Sequence, residues 1–350
     1  MHEMGSEFSE SSGKVGINRY TNLVNAQKRY VLSGRTAIAY IIKDILTYST
    51  FQRVALPDYC CASMIRPFCS NGIEVLFYGV DSRYEEIFDR ADVVLIMDYF
   101  GMGNVSSVTK AKLCKERGKL LIVDATQTAF SRLKTYDFAD YVFVSYRKWT
   151  DCLCAAVYSK RGFSIQPPRR NNDRYVTAWR KAANMKKDYL QYNRGNKIEF
   201  LQLFKRANEL LDLKYDGCAA PYDEIEKCET IDSDFIRMKR RTNAMLLMDN
   251  LEKSAYLKHD KIQLMYKELK EEDCPLFMPI LVNAKRRDVI RQGLIRRSIY
   301  CPVHWPVDER YPYEKTIYHE REISLICDQR YDERDMLREV GEVIDEIMDL

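Results

Sequence analysis

A lysine, an aspartate and a serine follow two strand-like runs at spacings that could support chemistry. Lys148 lies three residues after Ser145 in YVFVSYRKWT (141–150). Asp124 directly follows the four apolar residues that begin LLIVDATQ (120–127). An amine on a rigid element can bind a carbonyl cofactor covalently, a buried carboxylate can pair with a protonated pyridine nitrogen, and a hydroxyl can bind phosphate. Pyridoxal phosphate needs all three groups, so the sequence predicts a site for it with Lys148 and Asp124 as catalytic residues.

The start of LSGRTAIAYIIKDIL (32–46) is a candidate phosphate-binding turn. Free amides at a helix N-terminus, helped by the helix dipole, bind a dianion. Gly34 lets the backbone approach closely, and Thr36 adds a hydroxyl. Ser145 can donate from the segment SYRKW (145–149), which we call the lysine loop. Ser and Thr before a helix are also ordinary caps, so this motif alone leaves both interpretations open.

Asp124 and Lys148 also have ordinary structural interpretations. Asp124 equally suits a cap for the following segment DATQTAF, and a lysine at a strand end is more often a solvated charge. The order of phosphate turn, carboxylate and Ser-x-x-Lys along one sheet favours the chemical interpretation. Gln127, one helical turn after Asp124, could then reach the phenolic oxygen of the cofactor.

Alternating short apolar runs and helix-compatible stretches predict the fold class. Such alternation is typical of an α/β protein with a mostly parallel central sheet covered by helices, in which ligands gather at the carboxyl ends of the strands. The predicted strands are RVALP (53–57), IEVLFYGV (73–80), DVVLIMDYF (92–100), KLLIVDA (119–125), YVFVSY (141–146) and AAVYSK (155–160).

The rest of the chain predicts a second, smaller unit. Residues 169–270 read as mainly helical, the runs 276–282 and 298–306 as strands, and 333–350 as a final helix. We therefore expect a flexible tail at 1–16, a large cofactor-binding α/β domain at 17–234 and a small C-terminal α+β domain at 235–350.

Composition excludes several classes of function. Lys plus Arg number 55 against 51 Asp plus Glu, which does not predict a nucleic-acid or membrane partner. The eleven cysteines are an odd number, which predicts reduced thiols. Their spacing is not that of a zinc knuckle and the chain has only four histidines, so we expect no metal site. Without a secretory signal or a membrane-length apolar run, we expect a cytoplasmic protein.

Eight segments in order resemble the DegT/StrS-type sugar aminotransferases, which are fold-type-I pyridoxal-phosphate enzymes. The cofactor side is similar in SGRTAI, in LPDYCCASM, in the turn DYFG, in VDATQTAF with its Asp-Ala-x-Gln pattern, and in SYRKW. The small-domain side is similar in RRTNAMLL (240–247), IYCPVHWP (299–306) and EISLICDQRYDERDM (322–336).

This resemblance implies an activity and assigns roles to residues. It implies a homodimer that loads an amino group from glutamate or glutamine and passes it to a keto sugar, usually nucleotide-linked, in polysaccharide or secondary-metabolite biosynthesis. Lys148 would hold the cofactor and shuttle protons, Asp124 would pair with its pyridine nitrogen, and Gln127 would contact its phenolic oxygen. The phosphate would bind residues of the helix start and the lysine loop: Gly34, Arg35, Thr36 and Ser145.

The chain departs from the family pattern at three points. The serine-to-lysine gap is three residues, whereas members with a longer loop have five. Cys61 stands where an aromatic side chain often stacks on the cofactor ring, so Tyr59 or Tyr99 is a possible substitute. Cys154 or Ala155 replaces a glycine that often follows the lysine loop.

Two further features each have two interpretations. His304 and Trp305 suit a sugar ring, or else a small-domain core. The run 169–187, with seven Lys or Arg against one Asp, suits a nucleotide diphosphate or a solvated helix face. Two other functions also remain open: an enzyme acting on a free amino acid, for which Arg296, Arg297 and Arg330 are available, and a non-catalytic relative that binds cofactor or sugar nucleotide.

Overall fold

The computed structural model describes residues 2–10, 15–19, 26–80, 84–254 and 261–348. Its strands are β1 Met4–Gly5, β2 Gln27–Val31, β3 Arg53–Pro57, β4 Glu74–Tyr78, β5 Val93–Met97, β6 Leu120–Asp124, β7 Tyr141–Ser145, β8 Ala155–Ser159, β9 Ile262–Leu264, β10 Met278–Val282, β11 Ile299–Tyr300 and β12 Glu322–Leu325. Its helices are α1 Gly34–Ile45, α2 Ala62–Ser70, α3 Glu85–Arg90, α4 Val105–Glu116, α5 Asp173–Tyr192, α6 Lys197–Leu213, α7 Tyr222–Glu229, α8 Ser233–Lys253, α9 Ala284–Arg296, α10 Ile317–Arg321 and α11 Glu333–Met348.

A seven-stranded sheet forms the centre of the larger unit. Its order is β2-β8-β7-β6-β5-β3-β4, and the strands from β7 to β4 run parallel, whereas β8 is antiparallel to both of its neighbours. Because helices cover both faces of such a sheet, its central strands are mainly apolar, and every residue of β5 is buried. All six strands predicted for this sheet are present.

Strand register brings the carboxyl ends of the central strands together. Asp124 at the end of β6 pairs with Met97 of β5 and with Phe143 of β7. Helix α1 packs on one face of the sheet, where Ile38 and Ile42 belong to a buried apolar cluster that also contains Phe143. The loops that follow β5, β6 and β7 therefore leave the sheet at one edge.

The smaller unit is built on a three-stranded antiparallel sheet in the order β12-β10-β9. Helices α8 and α11 cover it, and Leu247, Met336 and Val343 are fully buried in the shared core. The predicted domain boundary at 234/235 falls at the first turn of α8. The predicted strand 298–306 is reduced to β11, because Pro302 and Pro306 cannot donate backbone hydrogen bonds.

Part of the segment expected to be a flexible tail packs against this smaller unit. β1 pairs in parallel with β11, and Met4 is fully buried. The amide of Gly5 donates to the Tyr331 hydroxyl at 2.7 Å. Residues 1 and 11–14 of the predicted tail lie outside the described residues. No helix within the described ranges is long and apolar enough to cross a bilayer.

Candidate active site

Lys148 lies at the carboxyl end of β7, in a short 3-10 turn formed by Tyr146–Lys148. The residue is exposed to solvent, although protein groups surround its amine. Desolvation, followed by repulsion from Arg147, lowers the pKa of the Lys148 amine, while Cys61 and Glu7 act in the opposite direction. A lowered pKa makes an amine available as a nucleophile near neutral pH, as a cofactor-binding lysine requires.

Trp149 fixes the lysine loop to the loop that follows Asp124. The indole is fully buried, and its Nε1 donates to the Thr126 carbonyl at 2.7 Å. The carbonyl of Trp149 accepts from Nε2 of Gln329 at 2.7 Å, and the Arg240 guanidinium lies 4.5 Å from the indole centroid. The lysine loop is therefore attached to both units of the protein.

Arg240 and Gln329 are site-supporting residues that the sequence analysis did not identify. Arg240 is buried, and it donates to Oε1 of Gln329 at 2.7 Å and to the Leu276 carbonyl at 2.8 Å. Both lie in segments that carry the family resemblance, RRTNAMLL and EISLICDQRYDERDM. No local pattern in these segments shows that they reach the lysine loop, which is at least 91 residues away in the sequence.

Asp124 is a buried carboxylate at the end of β6. Its Oδ1 accepts from the Thr126 amide at 2.8 Å. Desolvation raises the pKa of the carboxyl to about 6, although the hydrogen bonds from Thr126 and the charge of Lys148 oppose the shift. The cap-like bond to Thr126 uses one oxygen, so it is compatible with the second oxygen facing a cation. A cation there would restore the ionised form.

Gln127 stabilises the turn after β5. Its Oε1 accepts from the Phe100 amide at 2.6 Å, and the residue is buried. Phe100 and Gly101 both have positive φ, and a Cβ on Gly101 would lie 1.9 Å from the Cys274 carbonyl oxygen. Gln127 thus supports the contact between this turn and the segment leading to β10. Its side-chain amide can still donate, so its predicted contact with the cofactor remains a proposal.

The start of α1 faces the lysine loop. Ser33 caps the helix by accepting from the Thr36 amide at 3.3 Å, and a Cβ built on Gly34 would lie 3.6 Å from the Cβ of Ser145. Ser145 is buried and is the last residue of β7. The helix N-terminus, Gly34 and Ser145 are therefore together, as the predicted phosphate site requires.

Thr36 does not fit its predicted role as a hydroxyl donor. Its hydroxyl donates to the Tyr215 carbonyl at 2.9 Å and contacts the Ser33 hydroxyl at 2.9 Å, and the residue is fully buried. A hydroxyl has one proton, so this bond leaves none for a phosphate. The structure favours a structural role for Thr36.

Several cations gather around the start of α1. Arg35 forms an ion pair with Asp212 of α6, and burial followed by repulsion from Arg147 lowers the pKa of its guanidinium. The guanidinium of Arg147 lies 4.4 Å from the Trp179 ring centroid. Arg35, Arg147 and Lys148 therefore repel one another across this corner, and a bound phosphate would relieve that repulsion.

Tyr59 is enclosed by other rings and does not present a free face to a cofactor. Its ring centroid lies 5.0 Å from those of Trp305 and His319 and 5.3 Å from those of Tyr99 and Tyr318. Cys61, two residues later, is half-buried, and its electrostatic interaction with Lys148 raises the pKa of the lysine amine. Cys61, and not Tyr59, is therefore the residue of this pair with an electrostatic effect on Lys148.

His304 and Trp305 have different environments. The His304 ring packs against Phe100 and Phe277, with centroids 5.6 and 5.4 Å away, and its Nδ1 lies 3.0 Å from the Ser324 hydroxyl. These contacts favour the structural interpretation of His304. Trp305 is half-buried and lines a cavity on the smaller unit.

The arginines that a free amino-acid substrate would require already have carboxylate partners. Arg330 pairs with both oxygens of Asp328, at 3.0 and 2.7 Å. Arg297 pairs with Glu342 and Glu346, and Arg296 lies 3.7 Å from Glu346. All eleven cysteines are free thiols, most of them buried.

Comparisons with solved structures identify the fold of the chain. Neither a protein-family model nor a curated protein matches the sequence. Among solved structures, the aminotransferase TlmJ from Streptoalloteichus hindustanus matches with a TM-score of 0.65 at 16% identity, over 92% of this chain and 86% of its own. PseC of Helicobacter pylori, an aminotransferase in pseudoaminic acid biosynthesis, matches at 0.63 and 14%, over 93% and 87%. NtdA of Bacillus subtilis with bound cofactor PMP matches at 0.60 and 14%, over 92% and 73%.

Proposed function

Because the chain has the fold of the sugar aminotransferases, as predicted, we propose that it is a pyridoxal-phosphate-dependent aminotransferase. The observation that carries the proposal is the position of Lys148, whose amine has a lowered pKa and lies beside the buried Asp124 at the end of the sheet. Fold likeness at this identity does not itself assign an activity, so the site residues support the function.

The residues at this edge fit the cofactor. Asp124 is a desolvated carboxylate whose pKa is raised to about 6, and a protonated pyridine nitrogen is the kind of partner that would keep it ionised. The N-terminus of α1, Gly34 and Ser145 lie close together, and they would bind the phosphate next to Arg35 and Arg147. When bound, pyridoxal phosphate supplies an electron sink that makes the α-proton of an amino donor removable.

The chain's own residues would bind the cofactor and move protons. Lys148 would hold the cofactor through Nζ and later carry a proton at that atom, which its lowered pKa permits. Asp124 would hold the pyridine nitrogen, and Gln127 would orient the ring through its side-chain amide. Trp149 would keep the lysine loop in register with the loop after Asp124.

We infer a keto sugar as the amino acceptor, with glutamate or glutamine as donor. Support comes from two structural neighbours, one whose description names a sugar aminotransferase and one solved in the presence of its TDP-sugar product. The ion pairs that occupy Arg296, Arg297 and Arg330 also support it. A nucleotide-linked acceptor, a role in polysaccharide or secondary-metabolite biosynthesis, a cytoplasmic location and a homodimer with shared active sites belong to the same proposal.

The proposal is tested by absorbance during reaction with an amino donor. The purified protein with added cofactor should develop a band near the visible edge that glutamate or glutamine shifts. The variant Lys148→Ala should lose the band, whereas Lys205→Ala should keep it, because Lys205 is an exposed lysine of α6. Turnover with a panel of keto sugars, with and without a nucleotide, then identifies the acceptor.

A colourless wild-type protein after cofactor addition would refute the proposal. A band that shifts with amino donors, followed by transfer to a free keto acid and to no keto sugar, would instead establish the amino-acid enzyme. A band without any transfer would establish a cofactor-binding protein that does not catalyse.

A further inference from the structure

The N-terminal segment His2–Glu10 crosses from the smaller unit to the larger one. Near its start, Met4 of β1 is fully buried, and β1 pairs with β11 of the smaller unit. At its other end, Glu10 forms an ion pair with Lys187 of α5 at 3.0 Å. We call this segment the N-terminal strap.

Two cations hold the middle of the strap. Nη2 of Arg330 donates to the Ser6 carbonyl at 3.2 Å, and the Arg330 guanidinium lies 4.0 Å from the Phe8 ring centroid. Nζ of Lys186, on α5, donates to the Glu7 carbonyl at 2.6 Å. Because Arg330 and Lys186 belong to different units, Glu7 lies at the junction between these units.

On the side of the smaller unit, the strap is connected to the residue that follows Lys148. Arg330, which binds the Ser6 carbonyl, directly follows Gln329. Nε2 of Gln329 donates to the Trp149 carbonyl at 2.7 Å. The segment that anchors the strap therefore also anchors the lysine loop.

On the side of the larger unit, the strap is connected to the residue that precedes Lys148. Lys186, which binds the Glu7 carbonyl, lies about two helical turns after Trp179 on α5. The Arg147 guanidinium lies 4.4 Å from the Trp179 ring centroid. Contacts on both flanks of Lys148 thus bring Glu7 close to the lysine loop.

The Glu7 carboxylate is ionised and interacts electrostatically with Lys148. Its Oε2 accepts from the Ser6 hydroxyl at 2.6 Å. Burial opposes ionisation, but this bond, the residue's own amide and the charges of Lys186 and Arg147 lower the pKa of the carboxyl. Burial and Arg147 lower the pKa of the Lys148 amine, whereas Glu7 raises it.

The charged or titratable groups that act on the Lys148 amine come from several elements. They are Arg147 of the same turn, Arg35 of α1, Cys61 before α2, Asp124 of β6 and Glu7 of the strap. In the proposed complex, Asp124 pairs with the pyridine nitrogen. Among these groups, Glu7 is then the carboxylate that remains to offset the two guanidinium charges.

We propose that Glu7 is a positioning residue of the active site, whose carboxylate stabilises the proton that Nζ of Lys148 carries during amino transfer. The proton moves between Nζ and the substrate, and Glu7 stays ionised throughout. The inference rests on the proposed aminotransferase function. It extends the active site to the N-terminal strap, part of the segment that the sequence predicted as a flexible tail.

Competitive labelling of the cofactor-free protein tests this assignment. Lysines are acetylated with a trace of acetic anhydride between about pH 6 and pH 11, and mass spectrometry gives the rate at Lys148 relative to the exposed Lys205. Only the neutral amine reacts. Glu7→Gln removes the charge and retains an acceptor for the Ser6 hydroxyl. At neutral pH, the Lys148 rate should rise at least about twofold in this variant.

The pH dependence separates an effect of charge from a loss of structure. At the alkaline end of the range, the Lys148 rates of wild type and Glu7→Gln should converge, because the amine is then neutral in both proteins. Detachment of the strap would instead expose the lysine at every pH. A rate that is raised equally across the whole range would therefore overturn the inference.

Glu10→Gln is the matched control, because it removes an exposed carboxylate from the same strap. Its Lys148 rate should stay within about 1.5-fold of wild type. Glu7→Asp retains the charge, so its rate should lie closer to wild type than that of Glu7→Gln. An effect of Glu10→Gln as large as that of Glu7→Gln would contradict a specific role for Glu7.

Absorbance of the cofactor-loaded protein gives a second readout. The pH midpoint of its band reports the proton at Nζ of Lys148, and Glu7→Gln should move this midpoint to lower pH. An unmoved midpoint, or equal labelling rates in wild type and Glu7→Gln at every pH, would overturn the inference. Labelling needs no cofactor, so its failure and the failure of the aminotransferase proposal are distinguishable.

Discussion

Asp124 connects the electrostatics of the site to its chemistry. It is desolvated, and no ion pair involving it occurs in the described part of the chain, which is why its pKa is raised to about 6. Asp124→Asn should retain the cofactor but slow the reaction with glutamate at least about 100-fold, because the pyridine nitrogen loses its carboxylate. Stopped-flow absorbance measures this rate.

Asp249→Asn is the control for that substitution. Asp249 is exposed on α8, so its variant should react at the wild-type rate. An unchanged rate in Asp124→Asn would show that Asp124 is only a structural cap for the loop that follows it.

The same carboxylate should give a pH-dependent stability in the cofactor-free protein. A raised folded pKa means that stability from this group is present below pH 3.8 and is lost as the pH rises through about 6. Asparagine does not titrate, so the stability of Asp124→Asn relative to wild type should increase across that range by up to about 3 kcal/mol.

Denaturant unfolding at several pH values measures this difference. A constant difference between the two proteins from pH 3.8 to above pH 6 would contradict the account. Adding cofactor should reverse the order at neutral pH, because the pyridinium then pairs with the ionised Asp124.

Among the elements, the lysine loop depends on the Trp149 side chain. Trp149→Phe removes the donor to the Thr126 carbonyl, and the acceptor is left buried. Trp179→Phe is a matched control, because Trp179 is also buried under a guanidinium, yet its Nε1 has no partner among the described residues. Urea unfolding should show that Trp149→Phe costs about 1–2 kcal/mol more than Trp179→Phe. Equal costs would mean that the Thr126 bond does not stabilise the loop.

The turn after β5 should tolerate only glycine at residue 101. Gly101 has φ +85, and a Cβ there would lie 1.9 Å from the Cys274 carbonyl oxygen, whereas Gly118 has φ +65 with nothing within 4 Å. Gly101→Ala should therefore cost more than about 3 kcal/mol, and Gly118→Ala about 1 kcal/mol. Thermal unfolding compares the two, and similar losses would exclude the close contact between the turn and residue 274.

The strands differ in how readily the sequence predicted them. β5 and β6 are buried on both faces and read as continuous apolar runs, so they were predicted correctly. β2, QKRYV, is a polar edge strand, and β12, EISL, contains a buried glutamate, so neither was predicted. Their pairing partners are distant in sequence, and only the folded chain reveals them.

At the scale of the whole molecule, the fold class and the gathering of Lys148, Asp124, Ser145 and Gly34 followed from strand order. Parallel strands place their carboxyl ends at one edge, so local motifs were sufficient. The attachment of the lysine loop by Arg240 and Gln329 was not predictable, because it joins residues of both units. The same long-range packing encloses Tyr59 and commits the Thr36 hydroxyl to Tyr215.

The central claim is that Lys148 holds the cofactor, and chemical trapping tests it most directly. The protein is incubated with pyridoxal phosphate, reduced with borohydride and digested, and the modified peptide is identified by mass spectrometry. We expect one phosphopyridoxyl group per chain, on Lys148. A label on another lysine, or no label at all, would contradict the account.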